Sequence, residues 1–141
     1  MTLKLEPFDD VLPDSTVWID YLNERVTSPE KDFLMKLVLG GYDIWVCPPV
    51  FQEVLQGARS KKELTIACRA FRKCFRGRMG IYKVAEYGAE IYRTLRTQGI
   101  TIRKPNDCLI AAYCILNGLA LLHHDHDFDQ IEQHFPLVVV R

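Results

Sequence analysis

Four acidic residues occupy comparable places in the sequence, each just beyond a short apolar segment or at the start of a helical one. They are Asp14, Glu53, Asp107 and Asp125. Carboxylates gathered in one crevice repel one another, so they either take up protons or are neutralised by a cation. Oxygen ligands alone favour Mg²⁺, with Mn²⁺ as a substitute, over zinc. Mg²⁺ held in this way lowers the pKa of a bound water and stabilises charge on a phosphate oxygen, which suits phosphodiester hydrolysis.

Short apolar runs predict the strands that must position these side chains. The predicted strands are residues 11–13, 44–47, 100–102, 119–122 and 137–140. Helical spacing of apolar residues, with start and stop signals at several ends, predicts helices between the strands. The predicted helices are residues 16–23, 28–39, 50–56, 61–75, 82–97 and 105–117, with Asn106 or Asp107 free to cap the last and a turn at 123–129.

Strands that alternate with helices predict an α/β domain, whose central, mainly parallel sheet is covered by helices on both faces. In such a sheet the strand ends share one edge, where ligands bind in a crevice. Asp14 and Asp125 follow predicted strands, and Asp107 begins a helix after one. Residues far apart in sequence are therefore expected to meet at this edge.

The length of 141 residues fits a single domain, which we place at residues 11–141 after an N-terminal extension of residues 1–10. No apolar stretch is long enough to span a membrane, and the first residues lack the apolar run of a secretory signal. The five cysteines are odd in number and form no C-x-x-C pair, which argues against a disulfide framework and a zinc site. The expected location is the cytoplasm.

The formal net charge is zero, which does not exclude RNA as a substrate, because an acidic cluster can cancel a basic rim. Arg103 and Lys104 stand just before Asp107 and are candidates for contact with a substrate phosphate. A second basic group is expected to form one helical stripe that binds RNA phosphates, contacts an acidic protein or is simply solvated. It comprises Arg69, Arg72, Lys73 and Arg76, with Arg78 just beyond.

The segment from residue 123 to residue 129 mixes histidines with carboxylates, which raises the alternative of a transition-metal site. Its histidines are His123, His124 and His126. The H-E-x-x-H spacing is lacking, and no distant set of cysteines and histidines completes four ligands, so exposed turn residues are favoured. Asp127 can share or take over the role of Asp125. Asp20 is expected to be an exposed helix residue or a salt-bridge partner, and Asp129 a helix cap.

Four segments carry a family likeness when they are taken together in this order. They are DSTVWIDYL (14–22), PPVFQEVLQG (48–57), NDCLIAAYCILNGLALL (106–122) and DHDF (125–128). In these motifs the chain resembles the PIN-domain nucleases, above all the VapC toxins of bacterial toxin–antitoxin pairs. The resemblance implies a PIN-like three-layer sandwich and a Mg²⁺-dependent endoribonuclease. It further implies a homodimer that is neutralised by a small antitoxin protein.

The resemblance also assigns roles to individual residues. Asp14 and Asp107 match the chief metal ligands, and Asp125 completes the acidic set. Glu53 matches a further ligand or a residue that orients the attacking water, and Thr16 a hydroxyl that hydrogen-bonds within the site. The chain departs from the family pattern at His123, where Thr or Ser is usual two residues before the fourth acidic residue. Its N-terminal extension is also longer than is common.

Two other functions stay open at this point. The chain is either a PIN-like binding or regulatory module without significant nuclease activity, or a metal-dependent nuclease that acts on DNA or flap structures. The full acidic set favours an enzyme over a purely structural relative. The identity of the RNA and the number of metal ions, one or two, are not set by the sequence.

Overall fold

The computed structural model describes residues 10–77 and 80–141. The predicted N-terminal extension therefore lies outside the described residues, apart from Asp10, which already belongs to the first strand. Arg78 of the predicted basic stripe lies outside them as well. The domain limits of 1–10 and 11–141 stay a prediction.

Short strands alternate with helices along the described residues. The strands are β1 (Asp10–Pro13), β2 (Trp45–Val46), β3 (Phe75–Arg76), β4 (Leu119–Leu122) and β5 (Val138–Val139). The helices are α1 (Ser15–Leu22), α2 (Pro29–Leu39), α3 (Pro48–Gln56), α4 (Lys61–Arg72), α5 (Ile81–Thr97), α6 (Pro105–Asn117) and α7 (His126–His134).

Every strand pair among the described residues is parallel. One sheet has the order β1-β4-β5, and β2 pairs with β3 in a second. A parallel bridge between Val11 and Ile44 links β1 to the segment that leads into β2. All four residues of β4 are buried, as expected for a parallel strand that is covered on both faces. The predicted α/β class with a parallel sheet is confirmed.

The apolar core lies between this sheet and the helices that pack on it. Leu12 of β1 and Leu121 of β4 are fully buried, as are Phe71 of α4 and Phe128 of α7. Trp18 of α1 stacks edge-on against Phe71, with their ring centroids 4.9 Å apart. Among the described residues, no helix is both long enough and apolar enough to be a candidate for crossing a bilayer.

The strand predicted at residues 100–102 is wrong. Gly99 adopts a left-handed conformation with φ of 79°, and the N–H of Ile100 donates to the carbonyl of Leu95 at 2.9 Å. This bond closes the C-terminus of α5, so the amide of Ile100 is already used and cannot join a sheet. Ile102 is nevertheless buried, which accounts for its apolar character.

The helix predicted at residues 61–75 is shorter than expected. It ends at Arg72, and Phe75–Arg76 forms β3 beside β2. Arg76 therefore leaves the predicted helical stripe, and its guanidinium lies 5.6 Å from the centroid of the Phe51 ring. The basic residues thus do not form a single stripe on one helix.

The turn predicted at residues 123–129 is also wrong in its second half. Asp125 caps a helix, α7, that begins at His126. This helix buries Phe128 and Ile131, which are three residues apart and lie on one face. Asp129 lies inside α7 and is not its cap.

Candidate metal centre

The register of β1 and β4 places two acidic segments at the same edge of the sheet. Pro13 pairs with Leu122, so Asp14 and His123 are the next residues along these two parallel strands. The N–H of Asp14 donates to the carbonyl of Leu122 at 3.0 Å, which extends the ladder by one bond. The convergence expected from the positions of Asp14 and Asp125 therefore has a direct geometric cause.

Asp14 is the N-cap residue of α1. Its Oδ1 accepts hydrogen bonds from the Thr16 hydroxyl at 2.7 Å and from the backbone N–H of Val17 at 3.1 Å. The residue is only 2% exposed. Burial raises the pKa of the Asp14 carboxyl from 3.8 to about 6, although these two hydrogen bonds oppose the shift.

Asp107 lies in the first turn of α6. The cap of this helix is Lys104, which makes no side-chain cap bond, so the predicted capping by Asn106 or Asp107 is wrong. Asp107 is 5% exposed. Burial raises the pKa of its carboxyl from 3.8 to about 7, the charge of Asp125 adds to the rise, and Lys104 opposes it. A carboxyl group that titrates near neutrality is ready to exchange its proton for a cation.

Three carboxylates converge at this point. Asp107, Asp125 and Asp127 each offer one oxygen, and these oxygens all lie within 4.8 Å of one another. Oδ2 of Asp107 and Oδ2 of Asp127 are buried and, among the described residues, accept no hydrogen bond. Buried carboxylate oxygens without partners are energetically costly, and a hard divalent cation would satisfy them. The donor set therefore fits a hard divalent cation.

Asp14 lies outside this three-carboxylate cluster but close to it. Its charge contributes to the raised pKa of Asp107, and the charge of Asp125 contributes to that of Asp14. Asp127, which the sequence offered as a partner or substitute for Asp125, lies within the cluster together with it. The two are linked because Oδ1 of Asp125 accepts from the N–H of Asp127 at 2.9 Å.

Glu53 is held by neighbours of the two chief acidic residues. The Ser15 hydroxyl donates to its Oε2 at 2.7 Å, and the Asn106 side-chain amide approaches its Oε1 at 3.4 Å. Neither contact was expected from the sequence. The sequence offered one signal for these contacts, namely that both residues adjoin a proposed site residue. Ser15 follows Asp14, and Asn106 precedes Asp107.

Two basic side chains border the cluster. Arg103 Nε lies 3.9 Å from Asp127 Oδ2, and Lys104 Nζ lies 3.9 Å from Asp125 Oδ2. Both side chains are more than half exposed, whereas the two carboxylates are largely buried. These long side chains can therefore turn towards a bound anion without unfolding any part of the site.

The histidines differ in their surroundings. The ring of His123 is buried, with 4% of its side chain exposed, so the expectation of an exposed turn residue is wrong for it. Burial lowers the pKa of His123 below 6.5. His124 Nε2 lies 3.1 Å from Asp20 Oδ2, and His126 contacts Asp129. Among the described residues, the group of side chains close enough together to hold a metal ion consists of carboxylates alone. This does not support a metal site with histidine ligands.

Comparisons with known proteins identify the family to which the chain belongs. A PIN-domain family model matches residues 11–133 of the chain. Two relatives are 30% identical over 123 residues, which cover 86% of this chain and 90% of each relative. They are the VapC ribonuclease Mb1587 of Mycobacterium bovis and the ribonuclease VapC11 of Mycobacterium tuberculosis.

Solved structures show the same fold at low sequence identity. VapBC2 from Rickettsia felis, bound to a DNA fragment from its promoter, aligns with a TM-score of 0.68 at 15% identity, covering 92% of this chain and 96% of that one. FitAcB from Neisseria gonorrhoeae aligns with a TM-score of 0.66 at 17% identity, covering 93% and 96%. These likenesses confirm the predicted PIN-like α/β architecture.

Proposed function

Because this chain belongs to the PIN-domain family, we propose that it is a divalent-cation-dependent endoribonuclease of the VapC type. The observation that carries the proposal is the cluster of Asp107, Asp125 and Asp127, in which two buried oxygens accept no hydrogen bond among the described residues. The names of the curated relatives support RNA as the substrate class.

The acidic residues divide into two roles in this proposal. Asp14, Asp107 and Asp125 would hold Mg²⁺ or Mn²⁺, with Asp127 as a further oxygen donor beside Asp125. When bound, the cation supplies a Lewis acid for phosphate oxygens and lowers the pKa of a coordinated water. Glu53 would position the attacking water and take up its proton, since Ser15 donates to one of its carboxylate oxygens and the Asn106 amide approaches the other.

The reaction is an in-line displacement at phosphorus. A bond forms between the water oxygen and phosphorus, the bond from phosphorus to the 3′-oxygen breaks, and the departing 3′-oxygen takes a proton from solvent water. The products carry 5′-phosphate and 3′-hydroxyl ends, because the 2′-hydroxyl is not the nucleophile. Arg103 and Lys104 would leave Asp127 and Asp125 to contact substrate phosphates once a cation neutralises the carboxylates.

The proposal is tested by incubating the purified protein with a labelled, structured RNA in Mg²⁺ or Mn²⁺. We expect cleavage that EDTA abolishes and that Asp107→Asn removes, with 5′-phosphate at the new ends. Matched DNA and flap oligonucleotides in the same assay address the alternative nuclease substrates. A folded wild-type protein that cuts no RNA at any metal concentration would instead favour a binding or regulatory module.

We further propose that the chain forms a homodimer and pairs with a small antitoxin protein in the cytoplasm. The support is the family likeness and the similarity in fold to chains of the VapBC2 and FitAcB structures. Co-expression with the product of a short adjacent reading frame, followed by size-exclusion chromatography with light scattering, tests both points. We expect a stable complex in which the RNA cleavage is suppressed.

A further inference from the structure

His123 lies in the short connection between β4 and α7. It follows Leu122, the last residue of β4, and precedes the cluster residue Asp125 by two positions. Its side chain is almost completely buried. A buried imidazole this close to the carboxylate cluster raises the question of what its ring nitrogens bind.

The imidazole makes one directed contact and one packing contact. Its Nδ1 accepts a hydrogen bond from the backbone N–H of Asp125 at 3.0 Å. Because Nδ1 accepts, the neutral ring carries its proton on Nε2, which lies 3.8 Å from Asp129 Oδ1. The ring also packs against the fully buried Phe128 of α7, with centroids 4.9 Å apart.

The hydrogen bond from Asp125 to His123 is part of a short chain of contacts that determines where the carboxylates point. The N–H of Asp125 is bound to the ring of His123, and Oδ1 of Asp125 accepts from the N–H of Asp127. The backbone of Asp125 and one of its oxygens are thereby fixed relative to β4 and α7. Loss of the acceptor at position 123 would free the turn that carries two of the three clustered oxygens.

We propose that His123 is a positioning residue for the cation site, which acts through its Nδ1 on the backbone of Asp125. The inference rests on the proposed function, because it assumes that Asp125 and Asp127 bind a divalent cation. It assigns to a buried imidazole, outside the ligand set, the support of the segment that carries Asp125 and Asp127. Residues that orient ligands in this way typically change metal affinity 10–100-fold when they are removed.

Two substitutions separate the hydrogen bond from the packing. His123→Asn keeps an acceptor, since Oδ1 of asparagine is bonded to Cγ as Nδ1 of histidine is, but loses the ring. His123→Phe keeps an aromatic ring against Phe128 but has no acceptor. His123→Leu serves as a second variant without an acceptor if the Phe variant does not fold. Thermal midpoints and near-ultraviolet circular dichroism identify the folded variants.

The test measures Mn²⁺ binding to the metal-free protein by calorimetry and by electron paramagnetic resonance of free Mn²⁺. We expect the dissociation constant to rise about 10–100-fold in His123→Phe and His123→Leu, and to stay within about threefold of wild type in His123→Asn. RNA cleavage should follow the same order, with the loss in the acceptor-free variants reduced at saturating Mn²⁺.

Several results would overturn the inference. Wild-type affinity in the folded acceptor-free variants would do so, and a loss in His123→Asn together with wild-type affinity in His123→Phe would indicate that packing alone matters. Equal losses in the Asn and Phe variants would also overturn it, because the retained acceptor in Asn would then give no protection. In each case wild-type binding and cleavage would leave the proposed function intact. A wild-type protein that binds no Mn²⁺ and cuts no RNA would overturn both, so the two failures can be told apart.

Discussion

The Ser15 hydroxyl donates a 2.7 Å hydrogen bond to Glu53 and thereby joins the first residue of α1 to the second turn of α3. Because Ser15 directly follows Asp14, the same short segment that places one proposed metal ligand also orients the proposed base. The Asn106 amide approaches the other oxygen of Glu53 at 3.4 Å, from the residue that precedes Asp107. Glu53 is therefore coupled to both chief acidic positions through their sequence neighbours.

Substitution Glu53→Gln should lower the rate of RNA cleavage by about 10²–10⁴-fold, because an amide cannot accept the proton of the attacking water. The change is isosteric, so we expect the dissociation constant for Mn²⁺ to change less than about tenfold. Single-turnover cleavage and calorimetric Mn²⁺ titration measure the two effects separately. Ser15→Ala, which removes only the orienting bond, should cost less than Glu53→Gln. If Glu53→Gln lost Mn²⁺ binding but recovered full activity at high Mn²⁺, Glu53 would be a ligand and not the base.

The convergence of Asp14 with Asp125 could be predicted from the sequence because it depends only on strands that run parallel and end at one edge. In the structure, β1 and β4 are parallel and Pro13 pairs with Leu122, so the residues that follow them lie at the same edge. The partners of Glu53 could not be predicted, since they depend on how α3 and α6 are oriented relative to α1. No periodicity in the sequence encodes that orientation.

Substitution Asp107→Asn should raise the stability of the metal-free protein at pH 7.5. The Asp107 carboxyl, with a pKa of about 7, is largely ionised there although it is buried beside Asp125. Removing the charge relieves this cost, and the Asn amide can donate to the Asp125 carboxylate. We expect a gain on the order of 2 kcal/mol in the free energy of unfolding, measured by urea denaturation in chelator-treated buffer. A variant less stable than wild type under these conditions would contradict the raised pKa.

The stability of the wild-type protein should fall as the pH rises from about 5 to 7.5 in the absence of metal. Unfolded aspartates titrate near 3.8, whereas in the folded protein Asp14 titrates at about 6 and Asp107 at about 7. Between these values the folded state binds more protons than the unfolded state, so protonation stabilises it. His123 acts in the opposite sense, because its lowered pKa removes stability as the pH falls.

The difference between wild type and Asp107→Asn isolates the contribution of Asp107, because His123 is common to both. We expect this difference in thermal midpoint to be large at pH 7.5 and to shrink towards pH 5. Millimolar Mg²⁺ should reduce the pH dependence of wild type, since a bound cation favours the ionised carboxylates. A wild-type midpoint that does not change with pH or Mg²⁺ would count against a shared cation site.

The segment from His123 to Asp129 is a place where the sequence alone predicts the wrong local structure. Its polar composition predicts a turn, but Phe128 and Ile131 supply the buried side of a short helix. The sequence could not choose between Asp125 and Asp127 as the fourth acidic residue, and the structure has both beside Asp107. Asp125 caps α7 and Asp127 is its second residue, so both carboxylates face Asp107 within one cluster.

The double substitution Arg103→Ala with Lys104→Ala should raise KM for RNA more than it lowers kcat. Both side chains are more than half exposed and lie 3.9 Å from the cluster carboxylates, so they are placed to bind phosphates near the site of cleavage. We expect a roughly tenfold loss in kcat/KM at physiological salt and a weaker dependence of binding on salt concentration. Lys61→Ala with Lys62→Ala, which removes two positive charges from exposed residues of α4, is the matched control and should behave as wild type. If both variants lost the same amount of kcat/KM, the effect would come from the loss of positive charge in general and not from the position of Arg103 and Lys104.

Substitution Gly88→Ala should destabilise the protein, because α5 and α6 approach each other closely at this glycine. A Cβ at residue 88 would lie 3.3 Å from the Cα of Leu109 and 3.4 Å from the carbonyl oxygen of Cys108, both of which are backbone atoms that cannot rotate away. We expect a loss of about 1–3 kcal/mol in the free energy of unfolding, measured by urea denaturation. Gly57→Ala is the matched control, since its Cβ would meet only ordinary contacts of 3.5 Å in a right-handed backbone conformation. It should be neutral or stabilise by about 0.4–1 kcal/mol.

The close approach at Gly88 should also matter for metal binding. Cys108 and Leu109 follow Asp107 on α6, so a shift of this helix would move a cluster carboxylate. Gly88→Ala should therefore weaken Mn²⁺ binding, whereas Gly57→Ala should not. If the two variants were equally stable, α5 and α6 would be packed less tightly at residue 88 than the structure shows.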